Sequence, residues 1–399
     1  MLNSLLDNLT DYPFDRLRDL LDPLSPPAGI SPLALSIGEP RHTPPKLIDE
    51  ALSASNDLWG RYPPIDGTAD FRTAIAQWLA RRYHLAGGFI DPDLQILPVV
   101  GTREALYLIA MLAVDGRQKE PRPAVLFPNP LYHVYSGAAE MSGGEAITMA
   151  ATRGSGYLPD LDALDEQTLG RTALMTLCSP ANPQGAVADV AYLERAISLA
   201  RKHDFVLAID ECYSEIYSDQ PPPGGAGVCE NTGSMDNVVI FHSLSKRSSA
   251  PGLRSGFIAG DATLIRRFKH LRSFAGATMP MPIMAASSAL WRDEAHVEKN
   301  RALYRQKFDL ADQLLGGRYG YKRPAGGFFL WLDVSAYGGG EEAARRLWAE
   351  AGIRVLPGAY ISRVEADGTN PGDDYIRVAL VHPPDVTKTA FQGILKVLR

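Results

Sequence analysis

The chain has 399 residues, more than one ordinary hydrophobic core supports, so we expect two domains. Hydrophobic residues make up 45% and charged residues 22% of the chain, as in soluble globular enzymes. The formal net charge of -6 argues against nucleic acid and anionic membranes as partners.

The start of the sequence and the cysteines predict the compartment. The first residues contain no cationic segment followed by an apolar run, and no apolar stretch approaches the length of a membrane span. Cys178, Cys212 and Cys229 are an odd number and lie too far apart for a zinc knuckle. We therefore expect a cytoplasmic, reduced protein without a disulfide framework or a structural metal.

Apolar strands alternate with helical segments along most of the chain. After a leucine-rich helical pattern in 1–22, the sequence predicts strands at 33–37, 95–100, 124–127, 172–178, 205–209, 238–241, 256–260, 327–332, 353–356 and 375–380. It predicts helices at 46–57, 69–83, 101–114, 190–202, 262–275, 283–316, 341–351 and 385–398. This alternation is typical of an α/β fold with a mostly parallel sheet that helices cover on both faces.

Polar residues directly follow several of these strands. Thr102, Tyr132, Asn182, Asp210 and Lys246 all lie near the carboxyl end of a predicted strand. Ligands of parallel α/β sheets bind beyond these strand ends, so the sequence predicts that the five residues share one site. Taken singly, a threonine, asparagine or aspartate at such a position also serves as an ordinary helix cap or turn residue.

The stretch 241–256 has the most informative pattern. Ser243 and Ser245 follow a buried strand, Lys246 lies beside them, and Arg254 comes eight residues later, after a Pro-Gly turn. A lysine amine can condense with a carbonyl, while hydroxyls and a guanidinium can hold a phosphate. Pyridoxal phosphate offers an aldehyde and a phosphate in one molecule. The alternative is a solvated loop, and this stretch alone does not decide between the two.

Five motifs in this order resemble those of class I/II aminotransferases, the pyridoxal-phosphate enzymes of the aspartate aminotransferase fold. They are the segments 101–103, 179–185, 210–213, 243–254 and 376–378. The resemblance covers nearly the whole chain and implies fold type I. That fold has a large domain with a mostly parallel seven-stranded sheet covered by helices, and a smaller α/β domain built from both chain ends.

The domain bounds follow from this resemblance and from the predicted elements. Residues 1–45 are expected to form an N-terminal arm and part of the small domain. Residues 46–282 are expected to form the large cofactor-binding domain, and 283–399 the small C-terminal domain.

The resemblance implies that Lys246, Asp210 and Tyr213 are the catalytic residues. Lys246 is expected to bind the cofactor covalently and to move the substrate proton, and Asp210 to pair with the pyridine nitrogen. Tyr213 and Asn182 are expected to contact the ring oxygen, and Tyr132 to stack on the ring.

The same resemblance assigns residues to the phosphate, the substrate and a second subunit. The residues expected to hold the phosphate are Thr102, Arg103, Ser243, Ser245 and Arg254. Tyr62 is expected to reach the phosphate of the neighbouring subunit in a homodimer with shared active sites. Arg377 is expected to bind the substrate α-carboxylate, with help from Gly38 and Asn182.

Further stretches resemble the N-succinyl-diaminopimelate aminotransferase branch of the family, which serves bacterial lysine and cell-wall biosynthesis. They are 36–42, 210–217, 241–248, 293–297 and 300–308. The branch implies a small-molecule amino donor, N-succinyl-LL-2,6-diaminopimelate, and 2-oxoglutarate as the 2-oxo acid acceptor. Both carry a distal carboxylate, so a second cation is expected. Arg41 and Arg272 are the candidates, although either also fits a solvated surface position. Residues 275–280 depart from the branch and are expected near the distal substrate pocket.

Other functions use the same site residues. One alternative is an aminotransferase for aspartate or another amino acid, and another is a C–S β-lyase in which Lys246 also removes a Cα proton. A non-enzymatic, cofactor-sensing regulator would need a DNA-binding domain ahead of this fold. About 30 residues precede the first predicted strand, and they contain no basic helix pair, so we expect an enzyme.

Overall fold

The computed structural model describes residues 2–118 and 120–399. The strands in these ranges are β1 (Leu33–Ala34), β2 (Ile96–Val99), β3 (Ala124–Asn129), β4 (Glu145–Ala150), β5 (Thr172–Cys178), β6 (Val206–Asp210), β7 (Val238–Ser243), β8 (Gly256–Gly260), β9 (Phe329–Asp333), β10 (Ile353–Arg354), β11 (Leu356–Pro357) and β12 (Tyr375–Ala379). The α-helices are α1 (Pro13–Leu21), α2 (Leu47–Ala54), α3 (Ala69–Tyr83), α4 (Thr102–Ala113), α5 (His133–Ser142), α6 (Glu166–Gly170), α7 (Val190–His203), α8 (Gly225–Asn231), α9 (Leu244–Arg247), α10 (Ala262–Arg272), α11 (Met281–Arg292), α12 (Ala295–Leu315), α13 (Gly339–Ala351) and α14 (Pro384–Val397). None of these helices is long and apolar enough to cross a membrane.

A mixed sheet of seven strands lies at the centre of the larger part of the described chain. Its order is β2-β8-β7-β6-β5-β3-β4, and β8 runs antiparallel to both neighbours while the other pairs are parallel. Successive side chains of a strand point to opposite faces, and the sheet residues accordingly divide between two hydrophobic clusters. Leu207 and Ile209 belong to one, and Val206 and Ala208 to the other. The predicted seven-stranded, helix-covered sheet is therefore confirmed.

A smaller unit contains segments from both ends of the chain. Strands β11, β12 and β9 form an antiparallel sheet in that order. Near the N-terminus, Leu33 pairs in parallel with Ile353, so β1 joins β10. Helices α12, α13 and α14 contribute Phe308, Leu347 and Phe391 to the core of this unit. The predicted bounds at 45 and 282 stay a prediction.

The observed elements differ from the predicted ones in several places, and three of these differences have a clear physical reason. The helix predicted at 283–316 is two helices, because the Asp293 carboxylate accepts the backbone N–H of His296 and starts a new helix after α11. The strand predicted at 353–356 is split, since Ile353 pairs with β1 whereas Leu356 pairs with β12. Strand β4 was missed because it lies at the sheet edge and is half-buried along most of its length, so it has no continuous apolar run.

The parallel strands bring their carboxyl ends to one edge of the sheet. Cys178 lies opposite Asp210, and Asp210 lies opposite Phe241 on the next strand. Short segments that leave these strand ends therefore meet above the centre of the sheet, where the site lies.

Candidate active site

A cavity of about 470 Å³ opens above these strand ends. The predicted site residues that line it are Gly38, Thr102, Arg103, Tyr132, Asn182, Asp210, Tyr213, Ser243, Ser245, Lys246, Arg254 and Arg377. They come from seven separate segments of the chain, and the fold alone brings them together. Three predicted residues, Tyr62, Arg41 and Arg272, are not part of the lining.

Lys246 lies on α9, a single helical turn that begins directly after β7. The Ser243 hydroxyl caps this turn by accepting the backbone N–H of Ser245 at 3.1 Å. The Nζ of Lys246 donates to the main-chain carbonyl of Gly38 at 2.5 Å. Burial lowers the pKa of Lys246 to about 8, and the nearby cation Arg377 acts in the same direction. The amine is therefore partly unprotonated near neutral pH, as a base or nucleophile requires.

Asp210, the last residue of β6, presents a buried carboxylate to the cavity. It accepts the Tyr135 hydroxyl at 2.7 Å and the backbone N–H of Cys212 at 3.1 Å. Among the described residues, no lysine, arginine or histidine forms a salt bridge with it. Burial raises the pKa of Asp210, while these two hydrogen bonds act in the opposite direction. Such a carboxylate is suited to pair with a cation supplied by a ligand.

The corner formed by Gly101, Thr102, Ser243, Ser245 and Arg254 is suited to an anion. Gly101 has a positive φ of 76°, and a Cβ there would overlap the guanidinium of Arg254, so only glycine fits. The first N–H groups of α4 have no partners within the helix and face this corner. Together with two serine hydroxyls and the guanidinium, they form a phosphate-binding set.

Arg377 lies on β12 of the smaller unit and lines the cavity. Its guanidinium donates to Asn182 Oδ1 at 3.1 Å and to the carbonyl of Ser36 at 2.7 Å, and it stacks 4.5 Å from the centre of the Phe329 ring. Its Nε has no hydrogen-bond partner within the described residues. Burial lowers the pKa of Arg377 to about 10. A buried guanidinium with a free donor is suited to bind a carboxylate.

The aromatic residues provide the walls of the cavity. Tyr213 is buried and packs edge-on against Phe328 and Phe329, at ring distances of 5.5 and 5.8 Å. Tyr132 precedes α5, and burial raises the pKa of its phenol to about 12, so it is neutral. Tyr132 and Tyr135 lie edge to face at 5.6 Å.

Several lining residues were not predicted from the sequence. The contact of Tyr135 with Asp210 depends on α5 placing Tyr135 one turn beyond Tyr132. His133 lies 3.2 Å from the Arg103 guanidinium, and burial together with that cation lowers its pKa to about 4. Tyr12 and Phe14 come from the N-terminal arm, and no local sequence signal joins them to residues more than a hundred positions away.

The two candidates for the distal cation have different environments. Arg272 lies outside the cavity lining: only 4% of it is exposed, and its guanidinium donates to the carbonyls of Pro98 and Ala277. Arg272 fixes the loop after α10, and the sequence pattern around it does not distinguish this role from substrate binding. Arg41 is exposed and lies outside the cavity lining. In the departing segment 275–280, Gly276 lines a second cavity beside the first.

These residues fit pyridoxal phosphate. The unpaired carboxylate of Asp210 matches a pyridinium nitrogen, and the anion corner at Gly101 matches a phosphate. The amine of Lys246, with its lowered pKa, matches an aldehyde. Asn182 and Tyr213 line the same cavity as Lys246 and Arg377 and can contact a ring oxygen.

Known proteins of similar sequence identify the family of this chain. The model of the family described as aminotransferase class I and II matches residues 31–394. A 4-dedimethylamino-4-oxo-anhydrotetracycline transaminase of Streptomyces rimosus is 34% identical, over 93% of this chain and 95% of its own. An LL-diaminopimelate aminotransferase of Desulforudis audaxviator is 30% identical, over 94% and 92%.

Solved structures agree with this assignment. An aminotransferase of Neisseria meningitidis is 40% identical and has a TM-score of 0.94, with 100% of both chains covered. A probable N-succinyldiaminopimelate aminotransferase of Thermus thermophilus is 25% identical and has a TM-score of 0.82, with 96% of this chain and 97% of the other covered. The chain therefore belongs to the aminotransferase class I and II family and is a pyridoxal-phosphate-dependent aminotransferase.

Proposed function

We propose that this enzyme transfers the amino group between N-succinyl-LL-2,6-diaminopimelate and 2-oxoglutarate. The observation that carries the proposal is a second cavity of about 650 Å³ beside the first. The residues that line both cavities are Tyr12, Pro13, Arg103, His133 and Arg254. A substrate whose α-carboxylate lies at Arg377 thus has room for a long tail toward α4 and α5.

Different residues of the chain have different roles in such a transfer. Bound pyridoxal phosphate supplies the carbon that exchanges the amino group and a ring that withdraws electrons from the substrate Cα. Arg377 and Asn182 orient the α-carboxylate. Lys246 would act as the base that takes the proton from the substrate Cα, and the Gly38 carbonyl accepts from its Nζ and holds the amine in place. Asp210 keeps a positive charge on the ring nitrogen by pairing with it.

Similarity to named relatives supports a diaminopimelate-type donor. The Thermus structure is named for the N-succinyl form, at 25% identity. The Desulforudis relative is named for free LL-diaminopimelate, at 30% identity. The free amino acid is therefore the second candidate, and it has the same carbon chain with an ammonium group in place of the succinyl amide.

A donor panel tests the proposal. kcat/KM is measured with 2-oxoglutarate and, in turn, N-succinyl-LL-diaminopimelate, LL-diaminopimelate, aspartate, alanine and phenylalanine. We expect the succinylated donor to be best, and Arg41→Ala to lower its kcat/KM if the arginine reaches the distal carboxylate. Preference for LL-diaminopimelate supports the second candidate. Preference for alanine or phenylalanine overturns both and leaves the aminotransferase assignment intact.

We also propose a homodimer with shared active sites. The support is Tyr62, whose side chain is fully exposed on the chain described here. A mixture of Lys246→Ala and Tyr62→Phe chains should form hybrid sites that combine an intact Lys246 with an intact Tyr62. Cofactor affinity at those sites should return to near that of the parent enzyme. Sedimentation of an active monomer would contradict the proposal.

A further inference from the structure

A line of hydrogen bonds runs behind the active site through residues that the reaction does not touch. Lys307 Nζ lies 2.6 Å from His42 Nε2, and His42 Nδ1 lies 2.6 Å from Asn300 Oδ1. Asn300 Nδ2 donates to the main-chain carbonyls of Lys246 at 3.1 Å and Arg247 at 3.2 Å. The line thus ends on the peptide group of the lysine that moves the substrate proton.

The protons along this line have one consistent arrangement. The amide nitrogen of Asn300 donates to two carbonyls, so its oxygen accepts from His42 Nδ1–H. The other ring nitrogen of His42 then accepts from the Lys307 amine. Burial and the neighbouring Lys307 lower the pKa of His42 to about 4, so the imidazole is neutral near pH 7, as this arrangement requires.

Lys307 is a fully buried lysine, which is unusual in a protein core. Its exposed fraction is 0%, and among the described residues no carboxylate lies within 4 Å of its amine. It donates to the carbonyl of Leu380 at 2.9 Å and lies 4.7 Å from the ring centre of Tyr304. Burying an amine without an acid partner costs free energy, so packing alone does not explain this lysine.

The line connects three parts of the site. His42 ends the segment that begins at Gly38, whose carbonyl accepts from Lys246 Nζ. Leu380 directly follows β12, the strand of Arg377. Asn300 fixes the Lys246 main chain itself. One cluster of side chains, in which Asn300 and Lys307 are buried and His42 is half-buried, therefore contacts the lysine main chain, the segment that carries the acceptor for its amine and the end of the strand that carries the carboxylate-binding arginine.

We propose that His42, Asn300 and Lys307 are positioning residues that fix Lys246 relative to the Gly38 carbonyl. The bond from His42 to Asn300 transmits the position to Lys246, and the bond from Lys307 keeps the imidazole in place. Proton transfer requires that the Lys246 amine stays at a short, fixed distance from the substrate Cα. Substrate binding through Arg377 depends on the line only through Leu380.

Two substitutions at His42 test its hydrogen bonds to Asn300 and Lys307 separately. His42→Asn places an amide N–H where Nδ1 stands and keeps a donor toward Asn300, but it loses the acceptor for Lys307. His42→Gln places its amide oxygen near the Nε2 position and keeps that acceptor, but it loses the donor toward Asn300. We expect kcat to fall roughly ten-fold in His42→Gln with KM little changed, and to fall by only about two-fold in His42→Asn. In Lys307→Met both kcat and KM should change, because the Leu380 carbonyl loses its donor.

A second measurement does not depend on activity. Hydrogen–deuterium exchange of the cofactor-free protein should be faster at residues 38–42 in His42→Gln than in the parent, and unchanged there in His42→Asn. Phe308→Leu is the control, because Phe308 lies on α12, the helix of Asn300 and Lys307, and packs in the core of the smaller unit outside the line. This variant should lower the melting temperature and leave kcat near that of the parent. The proposal is overturned if the two His42 variants lose kcat equally, or only in proportion to their loss of thermal stability.

Discussion

Tyr135→Phe is the most informative single substitution in the site. It removes one hydroxyl from a buried side chain, and that hydroxyl donates to Asp210 at 2.7 Å. The benzyl part of the side chain stays, so no large cavity forms. Without this donor, burial raises the pKa of Asp210 further, because one of the groups that stabilise its charged form is gone.

The expected magnitude follows from the chemistry of this bond. A hydrogen bond to a charged group contributes about 1.5–3 kcal/mol. Part of this stabilisation is present in the cofactor-free protein as well, so only the remainder affects binding. We expect the dissociation constant of pyridoxal phosphate to rise roughly ten-fold, which corresponds to about 1.4 kcal/mol. kcat should also fall, since the ring nitrogen is less completely protonated.

The assay is titration of the cofactor-free variant with pyridoxal phosphate, followed by absorbance. Tyr192→Phe is the matched control, because the Tyr192 hydroxyl donates to the carbonyl of Pro159 at 2.8 Å, outside the cavity lining. The control should bind the cofactor as the parent does. Equal cofactor affinity in Tyr135→Phe and the parent would refute the argument that Tyr135 maintains the charge of Asp210.

Three further outcomes are expected. Lys246→Ala should abolish turnover yet still bind cofactor without a covalent bond, because Asp210 and the phosphate corner are intact. Borohydride reduction of the parent should fix the cofactor to Lys246. A label on another peptide would refute the assignment. In the cofactor-free protein, the rate at which Lys246 reacts with pyridoxal phosphate should rise with pH through about 8, since only the unprotonated amine reacts; a rise near the ordinary value of about 10.4 would contradict the lowered pKa. Arg272→Ala should lower the free energy of unfolding by about 1–3 kcal/mol for each carbonyl left unpaired, with little effect on kcat in the folded fraction. A selective loss of activity toward dicarboxylates would instead indicate that Arg272 binds the substrate.

Much of the site could be predicted because its residues lie at strand ends. Asp210 ends a buried apolar strand, and Lys246 lies on the single helical turn after another. The position of a strand end is encoded locally, by an apolar run followed by polar residues. Once the strands are parallel neighbours, their ends must meet, so a linear pattern gives a three-dimensional cluster.

The contacts that were missed depend on residues far apart in the sequence. Tyr12 enters the cavity from an arm whose position is set by packing against the smaller unit. The line from Lys307 to His42 joins residues 265 positions apart. Arg272 shows the limit of local patterns, since an arginine near a predicted pocket has the same local pattern whether it binds substrate or two backbone carbonyls. Both Arg272 and Arg377 are buried, but only Arg377 lines the site cavity. Which cavity a guanidinium reaches decides between the two roles, and that is a property of the whole fold.

The charges of the cavity lining have a consequence for specificity. Among the described residues, the charged groups of the lining are the cations Arg103, Lys246, Arg254 and Arg377 and the single carboxylate of Asp210, since His133 is neutral. With Asp210 paired to the ring nitrogen and Lys246 acting as an unprotonated base, a phosphate with about two negative charges and one substrate α-carboxylate balance the three arginines. A distal carboxylate therefore finds no unused cation in this lining, and leaving it unpaired in a dry site costs several kcal/mol. If the donor is dicarboxylic, as we propose, the missing cation must come from outside the lining, either from Arg41 at the surface or from a second subunit. The choice between substrates thus depends on residues outside the cavity lining, whereas the chemistry depends on those within it.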